Sequence, residues 1–361
     1  MKATLIQGLN EKGMQAFLNK MTLNEFYFPT LFPFKFTPTL TWKALAGEQG
    51  VPVAADVIAF DSRAPRKTRE VVERLTGDIP KIAIARDKTE SDLNEYFQLL
   101  NYAQTVDGGN ALLDWVFNDV EFCFKGVNAR LEWLALQAVS QGVVSLSKTN
   151  NAGIVTEVAV DFLVPTTHKS GVSVPWTTSA TAAPITTIKT IVKAAKAAGY
   201  PIKYILMNQD TFDDFLLCTQ VIEFAATWLQ LATSTALEPN LEGVNAALTR
   251  AGLPQIKVID TYVNIEINGT RTAVNPFADN VAVFVPDLVL GNTFYAPLAE
   301  DQITDSPAIK ARRGATLVKK YSNEEPLTEC TVGMANAIPV LGVSQRMYLV
   351  DTKNATWLLG A

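Results

Sequence analysis

Histidine is nearly absent from this sequence, since His168 is the single one in 361 residues. A zinc site built from several histidines is therefore excluded within one chain. A Ser-His-Asp or Cys-His mechanism would have to use His168, which stands in the loop-like run PTTHKSG with no GxSxG motif elsewhere in the sequence. The better interpretation of His168 is a solvated loop residue.

Cysteine and the common catalytic motifs are also scarce. Cys123, Cys218 and Cys330 are odd in number and far apart, a pattern typical of reduced, buried thiols in a reducing cytoplasm. The sequence has no CxxC, no phosphate-binding GxxxxGK[ST] loop and no GxGxxG. Asp213 and Asp214 are neighbours on a predicted helix and point about 100° apart, which makes a poor two-carboxylate site. We predict no catalytic residue, no metal and no cofactor.

The chain has no surplus of positive charge and no long apolar run. Its net charge is −5 and its pI about 5.2, whereas a dedicated nucleic-acid binder is normally basic. No run approaches the ~20 apolar residues of a transmembrane helix, and Met1–Thr4 lacks the start of a signal peptide, so we expect no membrane partner. Hydrophobic residues make up 48% of the chain, which excludes disorder throughout and supplies a sizeable core.

The sequence is rich in aromatic residues near its start, in the run EFYFPTLFPFKFTPTLTW at 25–42. Pro29, Pro33 and Pro38 interrupt this run and exclude both a helix and a central strand. An extended arm is therefore predicted, and it packs either on its own core or on a neighbouring subunit. The residues predicted to contact a neighbour are Phe28, Phe32, Phe34, Phe36 and Trp42.

A densely charged segment follows, flanked by the apolar strands Val57–Phe60 and Lys81–Ala85. A long two-stranded hairpin is marginal alone, so we expect it to complete its burial on another molecule, which points to an assembly. Its charges form a solvated face, ion pairs between subunits, or a nucleic-acid patch, although the patch lacks aromatics for base stacking. The residues predicted to contact a neighbouring subunit are Arg63, Arg66, Lys67, Arg69, Glu70 and Arg74.

Helical periodicity is strongest before the middle of the chain. Helices are predicted at Asn10–Met21 and Glu90–Ala103, with a break at Gly108-Gly109. A helix at Asn110–Gln141, about 45 Å long and ended by Gly142, would form a structural spine.

The second half alternates between helices and strands. Its predicted helices are Ile185–Ala198, one beginning after Asn208 or Asp210, and Leu241–Ala251. Its predicted strands are Val143–Leu146, Ile154–Val164, Tyr204–Met207, Ile256–Asp260, Val281–Val285 and Thr293–Ala296, with a hairpin, Val263–Ile267 and Thr270–Val274, turning at Asn268-Gly269. Residues 301–322 look polar and basic, and Thr331–Val350 is predicted to form two strands around Pro339-Val340-Leu341.

Several phrases, taken in order, resemble a known family. They are IAFDSRAPR at 58–66, GDIPKIAIAR at 77–86, VDFLVPTTHK at 160–169, MNQDTF at 207–212 and GLPQIKVID at 252–260. The chain resembles the major capsid proteins of tailed bacteriophages, in particular the lambda capsid protein E group, and the resemblance covers almost all of it.

The resemblance implies an α+β fold, the HK97-type capsid fold, with five parts. These are an N-terminal arm (1–50), an extended β-hairpin loop (51–90), a peripheral domain with a spine helix and a β-sheet (91–175), a mixed α/β axial domain (176–300), and a C-terminal return to the peripheral domain (301–361).

The implied function is that of a major capsid protein of a tailed double-stranded DNA phage, self-assembling into the hexamers and pentamers of an icosahedral head. Expected partners are copies of itself, a scaffold, a portal, a decoration protein and packaged DNA bound without sequence specificity. The expected locations are the virion and, during assembly, the host cytoplasm. Other phage structural proteins, of the tail or decoration kind, and an α/β enzyme using His168 are the alternatives.

Overall fold

The computed structural model describes residues 4–6, 9–46, 73–102, 106–151, 153, 158–229, 239–303 and 305–359. Its helices are α1 Glu11–Lys20, α2 Phe28–Leu31, α3 Glu90–Tyr102, α4 Val106–Gln141, α5 Pro184–Ala197, α6 Gln209–Leu217, α7 Thr219–Leu229, α8 Leu241–Arg250 and α9 Ala299–Gln302. Its strands are β1 Phe34–Phe36, β2 Thr41–Ala46, β3 Glu73–Asp78, β4 Lys81–Lys88, β5 Val143–Leu146, β6 Val158–Asp161, β7 Lys169–Gly171, β8 Tyr204–Met207, β9 Gln255–Val258, β10 Val263–Ile267, β11 Thr270–Val274, β12 Val281–Val285, β13 Gly291–Ala296, β14 Ile309–Arg313, β15 Thr316–Glu324, β16 Leu327–Leu341 and β17 Tyr348–Asp351.

The chain divides into two compact units. The first unit takes its described residues from the ranges Met1–Trp42, Gly77–Ala135 and Asn292–Pro339. The second takes its described residues from Lys43–Thr76, Leu136–Gly291 and Val340–Ala361.

A six-stranded sheet is the centre of the first unit. Its order is β1-β13-β16-β15-β14, and β4 pairs with β16 outside this path. The predicted strand Lys81–Ala85 is therefore present, but it pairs along its length with β16, from Lys81↔Asn336 to Lys88↔Glu329. Its predicted partner Val57–Phe60 lies outside the described residues. The expectation that this segment has little of its own chain to pack against was therefore wrong for Lys81–Ala85.

The long helix α4 runs for 36 residues and passes through Gly108-Gly109, so the predicted break there was wrong. Glycine in a helix interior costs about 1 kcal/mol of helix stability relative to alanine, and the other residues of this long helix offset that cost.

Strand β16 packs closely against α4. An added Cβ on Gly333 of β16 would meet the Cys123 carbonyl oxygen of α4 at 2.5 Å. The predicted end of the helix is confirmed, since Gly142 has a φ of +73°, which favours glycine.

The second unit contains a five-stranded sheet of order β7-β17-β12-β8-β9. Every residue of the central strand β12 is buried, and residues of α5, α6, α7 and α8 share one apolar core with the sheet. Local signals located several elements well: β8, β10 and β11 have the predicted bounds, and Asn208 caps α6 through a bond from the Thr211 N–H.

Other elements of the second half differ from the prediction. Helix α7 was not expected, and the polar stretch 301–322 contains strands β14 and most of β15. Strand β16 runs on through Pro339 to Leu341, so the break expected around that proline lies at the strand's end. The predicted strand Ile154–Val164 is confirmed in its middle part, where β6 runs from Val158 to Asp161. Residues 154–157 lie outside the described residues.

Candidate assembly surfaces

The first part of the predicted arm folds onto its own chain. Asn10 caps α1 by accepting a hydrogen bond from the Gly13 N–H at 2.8 Å. Met14 and Leu18, both fully buried, pack with apolar residues of α4, β14 and β15. This helix therefore anchors the arm within the first unit.

The aromatic run divides into buried and exposed members. Phe28, Phe32 and Trp42 are buried in the chain's own core, so their side chains contribute to folding of this subunit. Phe34 is half-buried between Phe28 and Tyr295, with ring centroids 5.7 and 6.1 Å away. Of these five predicted contact residues, only Phe36 is largely exposed, at 54%.

The arm is also less extended than predicted. Pro29 lies in the first turn of the short helix α2, a position where its missing N–H is harmless. The next residues form β1, an edge strand that runs parallel to β13 in the register Phe34↔Thr293 to Phe36↔Tyr295. The prediction that the prolines exclude a central strand is confirmed, because β1 is an edge strand. The prediction that they exclude a helix was wrong, because α2 forms one helical turn that contains Pro29.

A buried carboxylate of α4 holds the beginning of α2. Glu132 is completely buried, and its two oxygens accept hydrogen bonds from the main-chain N–H groups of Tyr27 at 3.0 Å and Phe28 at 2.7 Å. Burial raises the pKa of Glu132 to about 7, against the opposing effect of these two hydrogen bonds. Sequence reasoning missed this residue, although a glutamate on the same helix face as the apolar Ala135, Leu136 and Val139 was a usable signal.

A second buried carboxylate, Glu329 on β16, holds the start of the described chain. It accepts hydrogen bonds from the Thr4 hydroxyl and, at 2.9 Å, from the Leu5 N–H. The neighbouring Ile6 is buried against Tyr96 and Val116. The arm is therefore attached to its own subunit at a second point.

Glu329 belongs to a group of buried charges behind the sheet. Lys320 is fully buried, which lowers the pKa of its ammonium group, while Glu329 and Asp119 act in the opposite direction. Asp119 is also buried and lies 3.1 Å from the Lys88 ammonium nitrogen. Lys88 in turn donates to the Trp115 carbonyl at 2.9 Å and lies 3.8 Å from the centroid of that ring. The charges of both signs thus compensate one another inside the unit.

The predicted loop contacts lie mostly beyond the part of the chain that the structure describes. Arg63, Arg66, Lys67, Arg69 and Glu70 are outside it, and Arg74 lies in β3. At the base of the loop, β3 pairs with β2, and an added Cβ on Gly77 would come within 2.8 Å of the Trp42 ring. The base is therefore packed closely on the arm.

An open groove of about 580 Å³ lies in the first unit between β4, α3 and α4. Three exposed carboxylates, Asp87, Glu95 and Asp114, line it together with Arg86, Asp92 and Trp115. Asp92 is engaged in capping α3, because it accepts bonds from the Thr89 N–H and hydroxyl, and these bonds lower its pKa. The other three give this groove an acidic rim.

His168 lies in a short 3₁₀ turn and packs as an aromatic ring. Its centroid is 4.0 Å from that of Tyr348, with the planes 24° apart, and burial lowers its pKa. Asp213 accepts a bond from Gln209 at 2.7 Å on α6. Within the described residues, no three His, Cys, Asp or Glu side chains are grouped to hold a metal ion, and no helix is both long and apolar enough to cross a membrane.

These features define a class of protein. The arm, the long helix behind a six-stranded sheet and the second α/β unit make up the HK97-type fold of phage capsid proteins. A putative prophage capsid protein of Escherichia coli CFT073 has the same fold, with a TM-score of 0.58 and 14% identity over 96% of this chain and 99% of that one. A phage-related protein of Bordetella bronchiseptica RB50 is similar at a TM-score of 0.50 and 12% identity, over 95% of this chain and 97% of the other.

The family profile described as phage major capsid protein E matches residues 16–341, and the chain belongs to that family. No curated protein sequence matches the chain significantly. Membership makes the chain a structural protein of a bacteriophage, the major subunit that assembles into the capsid shell of the virion. The predicted family and fold are confirmed.

Proposed function

We propose that this subunit builds its shell as hexamers and pentamers of an icosahedral head, with the arm (1–50) and the extended loop (51–90) reaching neighbouring subunits. Residues 91–175 and 301–361 serve as the peripheral domain, and 176–300 as the axial domain. The observation that carries the arm's role is the edge strand β1, where Phe36 and, just beyond it, Leu40 are 54% and 56% exposed. Within the described residues β1 is the end strand of its sheet, and an unpaired strand edge with apolar side chains favours contact with another chain.

The buried residues of the arm support two different roles for its two sets of aromatic and apolar side chains. Phe28, Phe32 and Trp42 hold the arm to its own subunit, while Phe36 and Leu40 remain available to a neighbour. Deleting the whole arm would remove part of the chain's own core, so substitutions of exposed residues are the cleaner test.

The acidic groove is the partner that we propose for the loop's basic residues. Arg63, Arg66 and Arg69 of one subunit pair with Asp87, Glu95 and Asp114 of the next. Ion pairs of this exposed kind are individually weak. Many weak contacts suit a shell, because misplaced subunits dissociate before the shell closes.

The remaining partners follow from the same role. We propose assembly in the host cytoplasm with a scaffold, a portal and, in the finished head, a decoration protein. The packaged double-stranded DNA is enclosed without sequence-specific contacts, in keeping with a net charge of −5. The subunit acts structurally, with no reaction assigned to His168 or Asp213.

Substituting Phe36 and Leu40 together by serine tests the arm. We expect folded subunits that fail to form shells, as measured by electron microscopy and by sedimentation of the purified protein. Phe97→Ser is the matched control, because this phenylalanine is also exposed, at 48%, but lies on α3. Normal shells from the double variant would refute the arm's proposed contact.

A charge exchange tests the loop and the groove together. Replacing Arg63, Arg66 and Arg69 by glutamate should prevent assembly. Replacing Asp87, Glu95 and Asp114 by lysine in the same variant should restore part of the particle yield. Replacing the same arginines by lysine is the control that keeps the charge. Failure of assembly without any rescue would assign the arginines a different partner, and unchanged yield would show that they are only solvated.

A further inference from the structure

The short helix α2 begins without a cap from its own sequence. Its N-cap residue is Tyr27, which makes no side-chain capping bond, although the first N–H groups of a helix need an acceptor when they are buried. Glu132, 104 residues away from Phe28 along the chain, supplies the acceptor. Attachment of the arm at this point therefore depends on one distant side chain.

Within the part of the chain that the structure describes, no cation acts on the pKa of Glu132. Charged residues on the arm and on α4 that lie near it in sequence include Glu25, Lys125 and Arg130. Lys125 pairs with Glu25 at 3.5 Å and with Glu121 at 3.0 Å, and Arg130 lies with its guanidinium 5.3 Å from the Trp133 ring centroid. Among the described residues, burial raises the pKa of Glu132 and the N–H groups of Tyr27 and Phe28 lower it.

We propose that Glu132 is a proton-controlled clasp, which holds the arm at Tyr27 and Phe28 when it is neutral and loosens it when it is ionised. A neutral carboxyl keeps its unprotonated oxygen as an acceptor for one of the two N–H groups and avoids the penalty of a buried, unpaired charge. An ionised Glu132 regains its solvation only if the arm lifts and admits water. The clasp is a contact within one subunit, so it holds or fails independently of the proposed contacts between subunits.

The direction of the pH effect follows from linkage. The pKa of Glu132 is raised to about 7 in the docked state, from an ordinary value of 4.5. Docking is therefore favoured fully below the ordinary value and is weakened progressively as the pH rises to about 7. Across that window the docking equilibrium should change on the order of a hundredfold.

Hydrogen exchange of the full-length, unassembled subunit tests the clasp. Protection factors, corrected for the intrinsic pH dependence of exchange, are measured from about pH 5 to pH 8, a window around the shifted titration. We expect protection of peptides covering residues 26–32 to fall at least tenfold as the pH rises, while peptides from α1 stay constant and serve as the internal reference. Flat protection at 26–32, or an equal fall in α1, would overturn the proposal.

Glu132→Gln supplies the matched test, because the amide keeps an acceptor and does not ionise. Protection at residues 26–32 in this variant should be independent of pH. Glu121→Gln is the control on the same helix, where the side chain is 46% exposed, and it should retain the wild-type pH dependence. A pH dependence in Glu132→Gln equal to that of the wild type would assign the effect to another group.

Discussion

Two buried glutamates attach the arm, and they differ in what compensates their charge. Glu329 holds Thr4 and Leu5, and the fully buried ammonium group of Lys320 acts on it electrostatically. Glu132 holds Tyr27 and Phe28, and among the described residues its carboxyl group is bound by their two N–H groups alone. The same residue type therefore forms part of an ionic network at one end of the arm and an isolated titrating group at the other.

The comparison separates permanent attachment from conditional attachment. Removing one partner of a compensated buried pair leaves an unpaired charge inside the protein and is strongly destabilising. Changing the pH acts instead on the uncompensated group, whose pKa burial has moved toward neutrality. Attachment at Thr4 and Leu5 should be sensitive to mutation of the network, and attachment at Tyr27 and Phe28 to pH.

The largest effect is expected from Lys320→Met, which removes the buried cation that acts on Glu329, while Asp119 keeps its ion pair with Lys88. The free energy of unfolding of the full chain, measured with urea, should fall by about 3–5 kcal/mol. Adding Glu329→Gln should recover part of this loss, because one unpaired charge is then removed. Lys81→Met is the control at an exposed pair with Glu300, 3.4 Å apart, and a loss at Lys320 as small as the control's would contradict the network.

Glu132→Leu should destabilise the chain by an amount that depends on pH. It leaves two buried N–H groups without an acceptor, each costing about 1–3 kcal/mol. The wild type loses stability as the pH rises from 4.5 to about 7, and the variant does not. The difference in unfolding free energy should therefore be about 2 kcal/mol smaller at pH 8 than near pH 5.5, whereas a difference that stays constant would show that Glu132 does not titrate in this range.

Thr4→Val should have a smaller, local effect. It removes the hydroxyl bond to Glu329 and leaves the Leu5 N–H bond in place, a loss of about 0.5–1.5 kcal/mol. Hydrogen exchange near Leu5 and Ile6 should accelerate, because one of the two hydrogen bonds that hold this segment to Glu329 is lost. The control Thr39→Val, at an exposed position, should leave it unchanged, and acceleration only at high pH would remove the contrast between the two sites.

The smallest effect is expected from Lys125→Met at the exposed pairs with Glu25 and Glu121. Exposed ion pairs are worth about 0.2–1 kcal/mol, and salt near 1 M shortens the screening length to about 3 Å. The change in unfolding free energy should therefore be below about 1 kcal/mol and should shrink in high salt. A larger, salt-independent loss would mean that Lys125 supports the arm in the same way as the buried groups.

Local signals in the sequence were sufficient for much of the fold. Asn10 and Asn208 cap the predicted helices, the Asn268-Gly269 turn fixes its hairpin, and Gly142 ends α4. These features depend on neighbours a few residues away, which a sequence displays directly. The resemblance to the capsid family predicted the HK97-type fold class.

Long-range pairing was the part that sequence patterns could not supply. Lys320 looked like surface charge until β15 and β16 brought it behind the sheet near Glu329. Similarly, alternating aromatics in the arm do not reveal which of them face the chain's own core, so Phe28 and Phe36 looked alike before the structure separated them. Tertiary contacts decided both cases, because the partners lie far away along the chain.

Electron microscopy of the purified wild-type protein is the most direct test of its role as a shell subunit. The account predicts closed shells, or sheets and tubes of hexamers, whose subunit contacts include the exposed edge of β1 around Phe36. A population of small compact particles that never assembles, under conditions where the chain is folded, would contradict it.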